Sequence, residues 1–317
     1  MNRYCLILLN VLMLNIFGAL GQSYESDILR YSTNNYAGSA RYIAVGGAFS
    51  SVGADMSNFA YNPAGIAMYR SSVAQFSFGV NTLSNQSSYL NNEEADFNLN
   101  ASIPSLGFVF ADKNAEKNAL FRGTTIGFAF NRLGEYNSSE KISGLNTMPG
   151  SSITWNWANE MSEVYNGQFT NETSVEQVSF NTYNGFYGFL ANYDSSLFDY
   201  TSPILDSINQ TRFVEAKGGK DEMLIALGTN YLDKLFIGAS IGVPLLNYSR
   251  ESRFIEEDAA TGDINTFFND FELKEDYQTE GIGFNFKLGV LYKVNQWFRL
   301  GTGFQTPERI NLTERYS

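Results

Sequence analysis

The strongest constraint on this chain is a period-two alternation over residues 281–292. Ile282, Phe284, Phe286, Leu288, Val290 and Tyr292 fall on one face of an extended strand, and Gly281, Gly283, Asn285, Lys287 and Gly289 on the other. A soluble sandwich alternates as well, but its strands run to about 5 or 6 residues. A tilted membrane crossing needs about 9 to 11. Residues 72–83 and 298–306 read the same way, as do 105–111 (Leu106, Phe108, Phe110), 124–133 (Ile126, Phe128, Phe130), 223–231 (Met223, Ile225, Leu227) and 235–245 (Leu235, Ile237, Ala239, Ile241, Val243). The expectation is an all-β chain of seven strands.

Composition chooses among all-β classes. After residue 22 no apolar run approaches the roughly 20 residues of a spanning helix, so the chain is either soluble in the periplasm or built into a barrel. Twenty-eight glycines, 15% aromatics, 6 prolines and a mean hydropathy of -0.21 fit strands with one face to lipid and one to water. A net charge of -12 argues against a nucleic-acid partner. The chain has no histidine, which excludes catalysis by a histidine general base within it, and neither a cofactor nor an enzymatic activity is expected.

The first residues predict export. Asn2 and Arg3 form a short positive region, residues 6–17 an apolar stretch, and Ala19 and Gly21 a small-residue cleavage pattern, so residues 1–21 read as a signal peptide. Cys5, the single cysteine, falls within it, leaving the mature chain without a disulfide.

The connections are expected to alternate in length, long after the first, third and fifth strands and short at 112–122, 232–234 and 293–297. Short periplasmic turns and long external loops are the outer-membrane pattern, with the first strand rising from the periplasm. Tyr292 and Trp297 beside a short turn would suit an interfacial aromatic girdle. The 138–220 segment is too long for a bare loop. A helix is expected at 155–165, beside an aromatic-rich stretch at 183–193, and this region is read either as an apolar landing site or as a loop with its own small core. Loop 251–276 gathers Glu251, Glu256, Glu257, Asp258 and Asp263, a cation site or a solvated run. Seven is an odd count for a closed barrel. A comparable set of strands is therefore expected beyond residue 317, or an extra pair within 138–220.

Between signal peptide and first strand lie about fifty residues without alternation. Gly46 and Gly47 permit positive φ and close backbone approach. Asn62 can close a side-chain turn on its own backbone, Pro63 fixes φ and favours an extended residue before it, and Ala64 and Gly65 follow. Residues 22–70 are expected to form a compact plug, and 71–317 the strands and their loops.

From about Gly38 through Asn62-Pro63-Ala64 into the first strand, and less specifically through Ile103-Pro104-Ser105-Leu106-Gly107-Phe108 and the third strand, the chain resembles the outer-membrane long-chain fatty acid transporters of the FadL/TodX type. Members of this family in the Bacteroidetes are often labelled hemin receptors. The resemblance implies a transmembrane antiparallel β-barrel of fourteen strands, half of them present here, closed by an N-terminal hatch. Hydrophobic substrates would be captured at external loops and released sideways through a gap beside a kinked third strand. Asn62, Pro63 and Ala64 match the hatch motif, Gly46, Gly47 and Gly65 flank it, and Gly134 is the candidate for the kink. The loop residues that would bind ligand do not match well enough to carry over.

The function expected from these readings is passive uptake of a fatty acid-like molecule by a monomer in contact with outer-membrane lipid and lipopolysaccharide. Small lumen-facing residues such as Gly281, Gly283 and Gly289 would leave space. The alternative is a surface barrel that binds without transport, as a hemin or lipid receptor or an adhesin.

Overall fold

The computed structural model describes residues 25–35, 38–113, 119–165, 177–260 and 268–317; the expected signal peptide lies outside them. Nine strands form one antiparallel sheet. Its main path joins β1 (Val73–Tyr89), β2 (Asn92–Lys113), β3 (Phe121–Glu135), β7 (Ile208–Tyr231), β8 (Leu235–Asp258), β9 (Asp270–Lys293) and β10 (Arg299–Gln305). β4 (Ser138–Asn146) pairs with β7 in line beyond β3, and β11 (Arg309–Tyr316) pairs with β9 in line beyond β10. The nine strands therefore occupy seven lanes, the number expected. β5 (Asn192–Asp194) and β6 (Asp199–Thr201) make a small hairpin between β4 and β7. Among the described residues no helix is long and apolar enough to cross a membrane.

The strands are much longer than expected. β7, β8 and β9 have 24 residues each, and at about 3.4 Å per residue each reaches roughly 80 Å. The long connections expected after the first and fifth strands are thus mostly strand. β1 runs straight into β2 through Leu90 and Asn91, both at positive φ, a two-residue hairpin in the twist-matched primed geometry. Residues 251–258, expected as an acidic loop, belong to β8. Glu256 points inward and is buried, accepting from the Ile153 N–H at 3.2 Å and Gln210 at 2.8 Å, while Glu251 faces out near Lys274. Asp263 lies outside the described residues.

Apolar alternation governs only one part of β7, β8 and β9, whereas in β2 it runs from Ala95 to Phe110 across a bulge. Ile282, Phe284, Leu288, Val290 and Tyr292 of β9, Ile237 and Ile241 of β8, Met223, Ile225 and Leu227 of β7, and Phe128 and Phe108 of β3 and β2 are all exposed on the outer face. The apolar stretch ends at Glu280 of β9 paired with Asn247 of β8 and, two residues nearer the short turns, at Asp221 of β7 paired with Arg132 of β3. Past that border, charged and amide side chains occupy the same face. Inner-face residues are buried and mixed: Thr125, Asn131, Ser240, Asn285 and Lys287 are polar, Ala129 and Ala226 small, and Val109, Leu224 and Leu291 apolar. Unlike a soluble sheet, this one places buried polar and charged side chains on its packed face and an apolar row on its open face.

The inner face packs on the N-terminal segment. Met56, Phe59, Ala60 and Ile66 form the main core with Val109, Ala129, Leu133, Leu224 and Ala226, and Ala64 and Ala67 pack on Phe236 and Leu291.

Candidate functional site

The N-terminal segment is built from short capped turns. α1 (Glu25–Ser32) and α2 (Ala40–Ala44) precede two 3-10 turns, Met56–Ala60 and Pro63–Met68. Asp55 caps the first, accepting from the Ser57 N–H at 3.0 Å and from the Ser39 hydroxyl at 2.7 Å, with the Arg41 guanidinium at 3.1 Å. Asn62 caps the second in extended geometry (φ -137, ψ 95), and Pro63 occupies the first turn where its missing N–H costs nothing. The Asn62 side chain accepts from the Ala64 N–H at 3.1 Å and donates to the Ser50 carbonyl at 2.7 Å. The side-chain turn expected at Asn62 is present, and Asn62, Pro63, Ala64 and Gly65 are all buried. Gly46 and Gly47 do take positive φ, but Gly46 has no neighbour within 4 Å of a built Cβ, so no close approach occurs there.

Close approach happens instead on the sheet. Gly228, Gly238, Gly289 and Gly303 are directly paired across β7, β8, β9 and β10, forming one cross-strand row on the inner face. A Cβ on Gly238 would sit 2.3 Å from the Pro63 carbonyl oxygen, on Gly289 2.0 Å from the Asn62 side-chain oxygen, and on Gly303 2.3 Å from the Tyr61 carbonyl oxygen. On Gly228 it would meet Ile66 at 2.4 Å. Gly127 of β3 and Gly107 of β2 receive Ile66 and Met56 in the same way. The expectation that small inner residues leave open space is corrected: the N-terminal segment fills it at Gly289, and Ile310 of β11 fills it at Gly281 and Gly283.

Beyond the glycine row lies a buried charge cluster. Lys287 Nζ donates to Glu222 Oε1 at 2.5 Å, as does Asn285 Nδ2 at 2.6 Å, and neither charged side chain is more than 1% exposed. Lys220, equally buried, donates to Glu308 at 3.0 Å and to the Tyr31 carbonyl at 3.2 Å, tying α1 to the sheet. Further along, Tyr31, Tyr136, Tyr248 and Tyr277 stack edge-on and tilted at 6.0 to 6.2 Å, with the Arg30 guanidinium 4.3 Å over the Tyr248 ring. Burial pushes the Tyr136 phenol up to about 12 against the opposing pull of Arg30, so it is protonated at neutral pH.

A seam opens beside this cluster. The β2–β3 ladder runs from Lys113 paired with Gly123 to Ser105 paired with Asn131 and stops. Beyond it β2 pairs only with β1, while β3 and β4 pair only with β7. A bulge stands on each side. In β2, Ile103 and Pro104 stand opposite the single residue Phe78 of β1, and Pro104 has no N–H to donate. In β3, Leu133 is extra relative to β7, next to Gly134. Side chains, not backbone, bridge the seam: Asn100 Nδ2 donates to Glu135 Oε1 at 2.6 Å, Asn92 to the Ser143 carbonyl at 3.0 Å, and Lys141 lies 3.2 Å from Glu94.

Between β4 and β7, α3 (Ile153–Tyr165) and α4 (Phe180–Tyr187) cover the far end of the sheet. Trp157, Ala158, Met161, Ala191 and Tyr200 form a core with Phe271 and Leu273 of β9. Glu160 of α3 accepts from the Ser179 N–H and hydroxyl at 2.6 and 2.8 Å and from the Thr182 hydroxyl. Phe180, Phe189, Leu197 and Phe198 remain exposed around this core. The region thus has both a core of its own and an apolar surface.

The structure brings Asn62, Pro63, Ala64 and Gly65 together against the sheet, keeps Gly46 and Gly47 at the exposed rim of the segment, and sets Gly134 apart at the seam. Gly228, Gly238, Gly303 and the Glu222–Lys287 pair carry no signal within their own strands, because their meaning lies in the register between strands. No family model, curated protein or solved structure matches this chain.

Proposed function

We propose that the protein is an outer-membrane β-barrel that carries hydrophobic molecules, fatty acids or compounds like them, across the lipopolysaccharide-bearing membrane without chemistry. The observation that carries this reading is the unzipped β2–β3 seam beside a filled interior. A solute entering from the far end meets the N-terminal segment and the tyrosine cluster; the seam begins at Ser105 and Asn131, at the border of the apolar band, and there an apolar molecule can pass sideways along the exposed Phe97, Leu99 and Ile103 of β2 into lipid. The bulges at Ile103-Pro104 and at Leu133, beside Gly134, hold it open.

Other features fit the same scheme. The outward apolar band is far larger than a soluble monomer leaves in water, and each such side chain left hydrated forgoes about 1.5–3 kcal/mol. Along β9 the ten steps from residue 282 to 292 span about 34 Å, or roughly 26 Å at a 40° tilt, close to the apolar band of an outer-membrane barrel. Tyr292 and the exposed Trp297 then lie at its lower interface. Phe180, Phe189, Leu197 and Phe198 offer a capture surface at the opposite end. In lipid the free backbone groups of β1 and β10 need partners, and further strands joining these two edges would close the barrel. The N-terminal segment then acts as the hatch.

Cells with and without the protein are compared for uptake of a radiolabelled long-chain fatty acid, using a variant with Asn100→Cys and Glu135→Cys, whose side chains touch across the seam. Crosslinking the pair with a short bismaleimide is expected to cut protein-dependent uptake at least fivefold, with no loss in either single variant. Uptake equal in cells with and without the protein sinks the transport reading and favours a surface receptor or adhesin. Uptake unchanged by crosslinking removes the seam as the route.

A further inference from the structure

At the short-turn end of the sheet, on the opposite side of the N-terminal segment from the tyrosines, lies a cavity of about 380 Å³. Four cations from separate parts of the chain line it: Arg70 where the N-terminal segment ends, Arg122 at the foot of β3, Lys293 at the end of β9 and Arg299 at the start of β10. Against them stand two carboxylates, Asp112 and Asp233. The walls are therefore net positive in a chain whose net charge is -12.

Two carboxylates cannot match four cations. Asp233, itself exposed, lies 3.9 Å from the Arg122 guanidinium, at the limit of an ion pair. Arg299 donates to the Val52 carbonyl at 3.4 Å, and Arg70 and Lys293 have no ion-pair partner among the described residues. Like charges converging on a partly enclosed space raise its potential and concentrate anions there. Three guanidinium groups and an ammonium offer more donors than the two oxygens of a carboxylate can accept, whereas a phosphate has three or four oxygens and suits Arg forks. Met68 and Phe236 close the inner side with apolar surface.

We propose that this cavity binds a phosphate group, either as a free anion or as a lipid headgroup at the membrane face just below Trp297. The site stands whether or not the protein carries hydrophobic molecules, since it uses none of the seam or the exposed aromatic surface.

Isothermal titration of the full chain in uncharged detergent micelles tests it, with inorganic phosphate in one arm and lysophosphatidic acid in mixed micelles in the other. Saturable binding is expected in at least one arm, weakened at least tenfold by Arg70→Gln and by Lys293→Gln. Lys217→Gln and Lys274→Gln, exposed lysines elsewhere on the sheet, should stay within twofold of the parent. Binding in the phosphate arm assigns a free-anion site, and binding confined to the lipid arm assigns a headgroup site. The proposal is overturned if neither arm saturates, if Arg70→Gln and Lys293→Gln bind as tightly as the parent, or if the two control variants weaken binding equally.

Discussion

Gly238 and Gly289 face each other across β8 and β9, and the backbone of Pro63 and Ala64 lies where their side chains would be. Backbone cannot swing aside as a flexible side chain can, so Gly238→Ala forces the N-terminal segment off the sheet or strains both, at a cost of about 1–3 kcal/mol. Gly46→Ala has open space and meets only the penalty of its φ of +63, about 1–2 kcal/mol. Limited proteolysis in micelles separates the two. Cleavage should spread across residues 38–69 in Gly238→Ala and stay confined to the neighbourhood of residue 46 in Gly46→Ala; the same cleavage pattern in both would mean that the glycine row does not seat the segment. The Glu222–Lys287 pair makes a second case. Lys287→Met leaves a carboxylate buried without its counter-ion, which costs about 3–5 kcal/mol, whereas adding Glu222→Gln removes the stranded charge. Urea midpoints should fall sharply in the single variant and recover for the most part in the double.

At the scale of elements, β9 is readable from residues 281–292 because one face is apolar and the other is not. Residues 246–258 of β8 are strand too, yet both of their faces carry polar side chains, so alternation vanishes and they read as loop; in β2 the alternation of Ala95, Phe97, Leu99, Ala101 and Ile103 is legible in the sequence, and the strand expected at 105–111 misses it. The bulge of β3 is at Leu133, next to Gly134, and the seam depends on Pro104 of the neighbouring strand as well; no single strand reveals a missing ladder. The covering helices are better foreseen: α3 spans the expected 155–165, and the aromatic stretch after it supplies α4. Their packing should depend on pH through Glu160. Burial raises this carboxyl, but hydrogen bonds from the Thr182 hydroxyl and from the N–H and hydroxyl of Ser179 outweigh it, so it titrates below an ordinary glutamate. A depressed carboxyl stabilises the fold above its unfolded value, about 4.3, and that contribution is lost as pH falls through the folded value. The near-ultraviolet circular dichroism of Trp155 and Trp157 should therefore hold steady from about pH 8 to 5 and decline below about 4, with the decline blunted in Glu160→Gln. An identical profile in the variant would assign the acid sensitivity to other groups.

For the whole molecule, strands that could reach roughly 80 Å are apolar outside over less than half their length, and the border between apolar and charged shifts by only two residues from β3 to β9. On the proposed membrane reading, one physical condition accounts for both the exposed band and the packed inner face: the outer face meets hydrocarbon, and the inner face meets the chain's own N-terminal segment. A water-soluble sheet would bury Phe284 and expose Lys287, the reverse of what is seen. Spin labels placed singly along β9 at residues 278–292, with the protein in lipid vesicles, test this most directly through collision with oxygen and with a water-soluble nickel chelate. Oxygen should reach positions 282, 284, 286, 288, 290 and 292 preferentially, neither probe should readily reach 285, 287 and 289, and nickel should take over at 280 and 278. Nickel reaching the even positions as easily as oxygen would place that face in water and contradict the membrane account.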